Sequence, residues 1–191
     1  LVLWQDQRGA TSDVYAQRLD ASGVVQWAAN GVVIGSGTGD QYAPVAVSDG
    51  AGGAIVVWQD TRLGGSDLFA QRVNGSGVSQ WTTNGVALAT ATGAQWYPAI
   101  VSDGAGGAFV AWADARTGIG DDIYAQRIDA AGSPLWAANG VVVCNAALHQ
   151  AAPAIVAAAG GAIVVWEDGR GGLLEQDVYA QSLDGSGAVQ W

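Results

Sequence analysis

The sequence predicts an all-β protein with β-propeller architecture, because it nearly repeats itself every 54 or 55 residues. Between glycine-rich turns lie short runs rich in β-branched and aromatic residues, and no segment keeps a helical period. Units of four such antiparallel strands are the blades of a propeller, whereas a β-sandwich, the main alternative, does not require this repeat. The repeat shows best in three aromatic ladders: Trp4, Trp58, Trp112, Trp166; Tyr15, Phe69, Tyr124, Tyr179; and Trp27, Trp81, Trp136, Trp191.

The second repeat illustrates the predicted strands in order. The predicted strands are 44–47, 54–58, 68–73 and 78–81, each bounded by residues that favour turns. The second strand is apolar at every position, which is typical of a strand covered on both faces. The third strand mixes polar and apolar residues, and it is therefore expected to be partly covered and nearer the rim of the propeller.

The chain is interpreted as a single repeat array over residues 1–191. Its repeats span approximately 1–40 (partial), 41–94, 95–149 and 150–191. The predicted second, third and fourth strands occur four times and the first strand three times, so about four blades are expected, one of them incomplete. Because bare sheet edges invite pairing, we expect the ring to be completed by further copies of the chain or by a longer parent chain.

Composition excludes several classes of partner. Half of the 191 residues are hydrophobic, so the chain is globular, and no apolar run approaches the roughly 18 to 20 residues of a membrane helix. The formal net charge is −10, and all seven cationic side chains are arginine. Nucleic acids and anionic membranes are therefore not expected as partners. Cys144 is the only cysteine, so the chain has no intrachain disulfide.

An Asp-x-Arg motif follows the second strand of every repeat. The Asp and Arg are expected to clasp the following loop through charge-assisted hydrogen bonds. A ring of such carboxylates is also the ligand type that Ca²⁺ prefers, but each Arg would compete with a cation. The motif therefore favours clasps without a cofactor or metal, with calcium as the alternative. The residues are Asp6 and Arg8, Asp60 and Arg62, Asp114 and Arg116, and Asp168 and Arg170.

The connections before each first strand are the candidate ligand-binding segments. They are variable in sequence, and variable loops on a rigid scaffold often carry binding sites. Aromatic faces beside amide side chains suit sugar rings, although these aromatics could equally cover the edge of the core. The candidate residues are Gln41, Tyr42, Gln95, Trp96, Tyr97 and Gln150.

No catalytic constellation is apparent in the sequence. His149 and Cys144 are each solitary, and neither lies at a telling distance from a nucleophile or a partner acid. The residues capable of chemistry recur in every repeat, whereas an active site would need residues that break the pattern. The sequence therefore predicts no catalytic residues and favours a protein that is not an enzyme.

The unit Ser-Asp-Gly-Ala-Gly-Gly-Ala-Ile-Val-Val-Trp-Gln-Asp-x-Arg, followed by Asp-Leu-Phe-Ala-Gln-Arg-Val, resembles repeats of large, mostly uncharacterised secreted and cell-surface bacterial proteins. The resemblance covers the whole chain. It implies export and a modular parent protein, but no activity, because propellers host many functions.

These observations favour a non-enzymatic, secreted or cell-surface propeller module that binds protein or carbohydrate, or that assembles. The alternative is a fragment of a glycan-acting propeller hydrolase of sialidase-like type.

Overall fold

The computed structural model describes residues 1–172 and 175–191, which form fourteen β-strands in four antiparallel sheets. The first sheet contains three strands, the next two contain four each, and the last contains three. The strands are β1 Val2–Asp6, β2 Asp13–Gln17, β3 Val32–Gly35, β4 Gln41–Ser48, β5 Ala54–Asp60, β6 Asp67–Val73, β7 Val86–Ala89, β8 Gln95–Ser102, β9 Ala108–Asp114, β10 Asp122–Ile128, β11 Val141–Cys144, β12 Gln150–Ala158, β13 Gly161–Asp168 and β14 Asp177–Asp184.

The four sheets pack face to face in chain order, as the blades of an incomplete β-propeller. Within each sheet, consecutive strands are neighbours. The first strands of successive sheets lie closest together, with β4 against β8 and β8 against β12, so they line the axis. The described residues include no helix that is long and apolar enough to span a membrane.

The core lies between the sheets. Strands β5 and β9 are buried along their whole length, and Trp58 and Trp112 are both 0% exposed. Each of these tryptophans stacks on the aromatic residue opposite it in the third strand; the ring centroids of Trp58 and Phe69 are 6.4 Å apart. This contact, repeated in every sheet, explains two of the three aromatic ladders.

The third ladder joins neighbouring sheets. The indole Nε1 of Trp27 donates a hydrogen bond to the Gly75 carbonyl of the next sheet at 3.0 Å. Trp81 and Trp136 make the same bond to the carbonyls of Ala130 and Gly185, both at 3.1 Å. Each tryptophan of this ladder therefore joins its own repeat to the following one by a hydrogen bond.

The structure corrects the position of the fourth strand. The sequence analysis placed it at 78–81, but that segment makes only one bridge, between Val73 and Ser79. At Trp81 and Thr82 the Gln71 side chain takes the place of strand-to-strand hydrogen bonds. Its Oε1 accepts from the Trp81 N–H, and its Nε2 donates to the Thr82 carbonyl. The true fourth strand is β7, which follows the Asn-Gly turn.

This correction changes which blades are incomplete. The sequence analysis expected a single incomplete blade, whereas two of the described sheets contain three strands. The first sheet has no strand that corresponds to β4, and the last has no strand that corresponds to β7. The third strand is also more central than expected, because β7 covers the edge of β6 and leaves it almost fully buried.

Candidate functional site

The Asp-x-Arg motifs form tight contacts at the end of each second strand. In the second sheet, Asp60 Oδ1 accepts hydrogen bonds from the backbone N–H of Arg62 at 3.0 Å and from its Nε at 2.8 Å. Asp60 Oδ2 accepts from Arg62 Nη2 at 2.5 Å and from the Trp58 indole at 2.8 Å. The carboxylate is thereby saturated with protein donors. The pairs in the other sheets make the same contacts: Asp6 and Arg8, Asp114 and Arg116, and Asp168 and Arg170.

Each arginine of these motifs also stacks on the aromatic residue of the third strand. The Arg62 guanidinium carbon lies 4.1 Å from the centroid of the Phe69 ring, within the range of a cation–π contact. Its Nη2 donates to the Asn84 carbonyl at 3.0 Å. One arginine therefore links the second strand, the third strand and the turn before the fourth.

The pKa values of two acids in this region are shifted in opposite directions. Burial raises the pKa of Asp60, but hydrogen bonds from Arg62 and Trp58 outweigh that effect, so its pKa lies below the ordinary value. Asp67 lies opposite Asp60 in the neighbouring strand, and burial together with the Asp60 charge raises its pKa. Asp67 Oδ2 has no hydrogen-bond partner among the residues that the structure describes. Only the first acid of this pair is stabilised as a carboxylate.

The arrangement leaves little room for a metal ion at these acids. In residues 1–172 and 175–191, no group of three or more His, Cys, Asp or Glu side chains is placed to hold a metal. The four acids of the Asp-x-Arg motifs already accept from arginine and tryptophan. The calcium alternative thus has no supporting geometry in this region.

The three glutamines among the candidate binding residues are buried at the start of the first strands. Gln41, Gln95 and Gln150 are each 0% exposed. The Nε2 of Gln41 donates to the Gly39 carbonyl at 3.2 Å, and the other two make equivalent bonds to their own loops. Within residues 1–172 and 175–191, the Oε1 of each glutamine has no hydrogen-bond partner. In this conformation the glutamines hold the preceding loop, and they do not face a ligand from solvent.

The candidate aromatics have three different surroundings. The hydroxyl of Tyr42 hydrogen-bonds to Ser66 Oγ at 3.1 Å, which ties it to the neighbouring strands. Trp96 is partly buried, and its Nε1 has no hydrogen-bond partner in the described part of the chain. Tyr97 is 63% exposed, so it is the candidate aromatic most available to a ligand.

A pocket of about 410 Å³ opens where the first strands meet at the axis. We call it the axial pocket. Its wall is mainly apolar, and its polar lining residue, Gln59, is 4% exposed and accepts a hydrogen bond from Ser66 Oγ. The lining residues include Ala43, Gln59, Tyr97, Pro98, Ala152 and Pro153. None of the residues that line it is acidic.

An unusual backbone feature builds this pocket. Ala43, Tyr97 and Ala152 have φ values of 48°, 54° and 48°, and each directly precedes a proline. A residue before proline normally prefers the extended region, and residues other than glycine rarely adopt positive φ. Each sits in a bulge of its strand, where the register with the second strand shifts. Such strain persists only where the surrounding structure holds it, and it is often found at functional sites.

Sequence reasoning missed this bulge, although a signal was present. A proline follows the glutamine of each first strand by three residues, at Pro44, Pro98 and Pro153. Proline inside a strand is confined to edges and bulges. The proline spacing could therefore have located the bulges, but not the positive φ.

Two solved structures are similar to this fold. The first is an endo-1,4-β-xylanase from Bacteroides thetaiotaomicron VPI-5482, which matches 98% of the chain at 9% identity with a TM-score of 0.52. The second is a thermostable family-43 glycoside hydrolase, which matches 77% of the chain at 12% identity with a TM-score of 0.46. The chain spans 66% and 52% of their respective lengths. At this identity, the likeness to the xylanase concerns the fold alone.

No protein-family model matches the chain, and no curated protein sequence matches it.

Proposed function

We propose that the chain is a non-enzymatic propeller module that binds carbohydrate at the axial pocket. The observation that carries this proposal is the exposed Tyr97 ring on the rim of a preformed apolar pocket. An aromatic face packs against the C–H face of a sugar ring. Small-ligand sites commonly combine an apolar wall with a few polar groups in this way.

The strained bulges support the same interpretation. They hold Ala43, Tyr97 and Ala152 at one level of the axis, each with a backbone conformation that a regular strand would not give. Such a conformation costs on the order of 1–3 kcal/mol per residue. Because the same strained conformation occurs at three equivalent positions, it favours a binding role in which the wall of the axial pocket is shaped before the ligand binds.

A glycan-hydrolysing activity is the alternative, and the lining of the axial pocket argues against it. Glycoside hydrolysis normally uses two carboxyl groups that flank the scissile bond. Among the described residues, Asp60 is bound to Arg62, while Asp49 and Asp103 are bound to arginine and to turn amides. The axial pocket has no acidic side chain in its wall.

The proposed location is the cell exterior, either secreted or attached to the surface. It rests on the resemblance of the repeat to those of exported bacterial proteins. Protein ligands remain compatible with the same module.

A glycan array followed by calorimetric titration of the best oligosaccharide tests the binding proposal. We expect Tyr97→Ala to weaken binding about tenfold, the size of a lost aromatic contact, without changing the melting temperature. Tyr97→Phe keeps the ring and should bind as the parent does. The exposed Ile119 offers a control far from the pocket lining, Ile119→Ala, which should have no effect.

Two results would contradict the proposal. One is the absence of any glycan that binds in a Tyr97-dependent way. The other is turnover of fluorogenic glycosides by the purified chain, which would favour the hydrolase.

A further inference from the structure

The three strands that meet at the axial pocket have equivalent backbones but different side chains. At the bulge residue with positive φ, β4 and β12 have alanine and β8 has Tyr97. The repeat therefore supplies the shape of the wall three times and an aromatic ring once. The pocket has one stacking face at this level, so one ring of a ligand can lie flat against it.

The rest of the wall offers few groups that can hydrogen-bond to a ligand. Among the described residues that line the pocket, polar side-chain groups come only from Gln59 and Tyr97. Gln59 is 4% exposed, and its Oε1 already accepts from Ser66 Oγ at 3.3 Å. Pro98 and Pro153 have no backbone N–H to donate. A ligand hydroxyl turned to this part of the wall would lose its water and gain no protein partner, which is unfavourable.

The cationic side chains of the chain are engaged elsewhere. All seven are arginines, and four of them are held by the clasp aspartates. Two more bind turn aspartates, as Arg72 binds Asp49 at 2.9 Å, and Arg18 donates to the Gly75 carbonyl at 3.0 Å. No arginine is among the described residues that line the axial pocket. Because the net charge is −10, an anionic ligand would meet repulsion there without a counter-charge.

We propose that the axial pocket selects an uncharged pyranose that turns an apolar edge to the wall, as a 6-deoxyhexose does with the methyl group at its C6. This inference rests on the proposed carbohydrate-binding function and adds the class of sugar. The face of the ring stacks on Tyr97, and the methyl group contacts the alanine, valine and proline side chains of the wall. The hydroxyls on the opposite edge of the sugar stay in water.

The test is a competition against the best glycan from the array. The competitors are three methyl pyranosides that differ only at C6, where 6-deoxyglucose has a methyl group, glucose a hydroxymethyl group and glucuronic acid a carboxylate. The same three forms in the galacto and manno configurations vary the orientation of the ring hydroxyls.

In the configuration that competes best, we expect the 6-deoxy form to compete at least about fivefold better than the hydroxymethyl form, because a buried hydroxyl without a partner is unfavourable. Its lead over the carboxylate form should be at least about tenfold, since an unpaired charge is harder still to bury. The affinity for the 6-deoxy form should not change with salt concentration.

A matched pair of variants tests whether the wall reads the methyl group. Val45 lines the pocket, and Val45→Thr puts a hydroxyl there at nearly the same side-chain size. It should reduce the lead of the 6-deoxy form at least about twofold, because the hydroxymethyl group gains a partner. Val78 is 56% exposed and lies outside the pocket lining, so Val78→Thr should leave the lead unchanged.

Three outcomes would overturn the proposed sugar class while glycan binding through Tyr97 stands. They are failure of every methyl pyranoside to compete, a hydroxymethyl or carboxylate form that competes as well as the 6-deoxy form, and a lead that Val45→Thr does not reduce. The absence of any glycan binding that Tyr97→Ala weakens would instead overturn the carbohydrate-binding function itself, and this inference with it.

Discussion

The central and outer sheets place nearly the same residues in different environments. Trp58 and Trp112 in the central sheets are fully buried, whereas Trp4 in the first sheet is only partly buried. Leu68 is covered, and its counterpart Val178 is exposed. The motif itself is formed in all four sheets, so local sequence is enough to build it. Burial of the motif, however, is provided by neighbouring strands. The contribution of each repeat to the free energy of unfolding therefore depends on its position in the array.

The largest expected effect comes from removing a central tryptophan. Trp112→Ala should destabilise the chain by about 3–5 kcal/mol, the usual cost of deleting a large buried aromatic side chain. Trp4→Ala should cost clearly less, because part of that ring is already in contact with water. Urea unfolding of both variants measures the difference. Equal losses would mean that position in the array does not matter.

A glycine next to the core tryptophan should show the second-largest effect. Gly85 has φ 86°, and a Cβ there would approach Trp58 Cη2 to 2.5 Å and the Ala70 carbonyl to 2.7 Å. Gly85→Ala should therefore cost about 3 kcal/mol, combining backbone strain with overpacking. Gly50 has a similar φ of 75° and nothing within 4 Å, so Gly50→Ala should cost only about 1 kcal/mol. Melting curves of the two variants separate strain from packing, and similar shifts would show that packing contributes nothing.

The buried clasp acid should contribute less than the core residues. Asp60→Asn removes the charge that receives Arg62, and it should cost about 2 kcal/mol at neutral pH, within the range of charged hydrogen bonds. Because the folded state lowers the pKa of Asp60, this stabilisation is present above the ordinary pKa of aspartate and is lost as the pH falls through the folded-state value. Asp6→Asn in the outer sheet should have a smaller effect, since Arg8 is more exposed. Denaturation across a pH series checks both the size and the direction.

The smallest expected effect has the opposite sign. Asp67 faces Asp60 and has a raised pKa, so its ionised form is unfavourable in the folded state at neutral pH. Asp67→Asn should stabilise the chain by about 1 kcal/mol, the low end of the cost of a buried acceptor without a partner. The gain should shrink in acid, where Asp67 is protonated in both states. A loss of stability at pH 7 would show that Asp67 carries a favourable contact.

The fold class followed from the sequence because the aromatic ladders record real contacts. Trp58 and Phe69 face each other across two strands, and Trp27 reaches the next sheet, so both spacings reflect packing. The fourth strand was misplaced because Val78–Trp81 has β-forming residues, yet the Gln71 side chain takes its hydrogen bonds. The β-propensity of two adjacent segments does not reveal which one will pair with the sheet and which one will hydrogen-bond to a side chain instead.

The candidate binding site was only partly accessible from sequence. The sequence singles out Tyr97 as a candidate in a variable connection, whereas in the structure it lies in β8 and lines the axial pocket, and its role in binding stays a prediction. Gln41 was grouped with it because amides suit sugars, but its side chain turns inward to the loop carbonyls. Gln41 lies two residues before Ala43, where a positive φ accompanies a shift in strand register that alternation rules do not foresee.

The hydrogen bond from Trp27 to Gly75 spans nearly one repeat, and the bonds of Trp81 and Trp136 do the same. Each junction between sheets is therefore encoded once per repeat, with the donor in one copy and the acceptor in the next. Duplication or deletion of a whole repeat by recombination would regenerate a complete junction without any new mutation. A change of one residue in loop length is tolerated, because the separation is 48 residues for Trp27 and Gly75 and 49 residues at the other two junctions, whereas loss of part of a repeat that removes the acceptor turn would break the junction. Genetic change in the length of such an array is thus expected in steps of one entire blade.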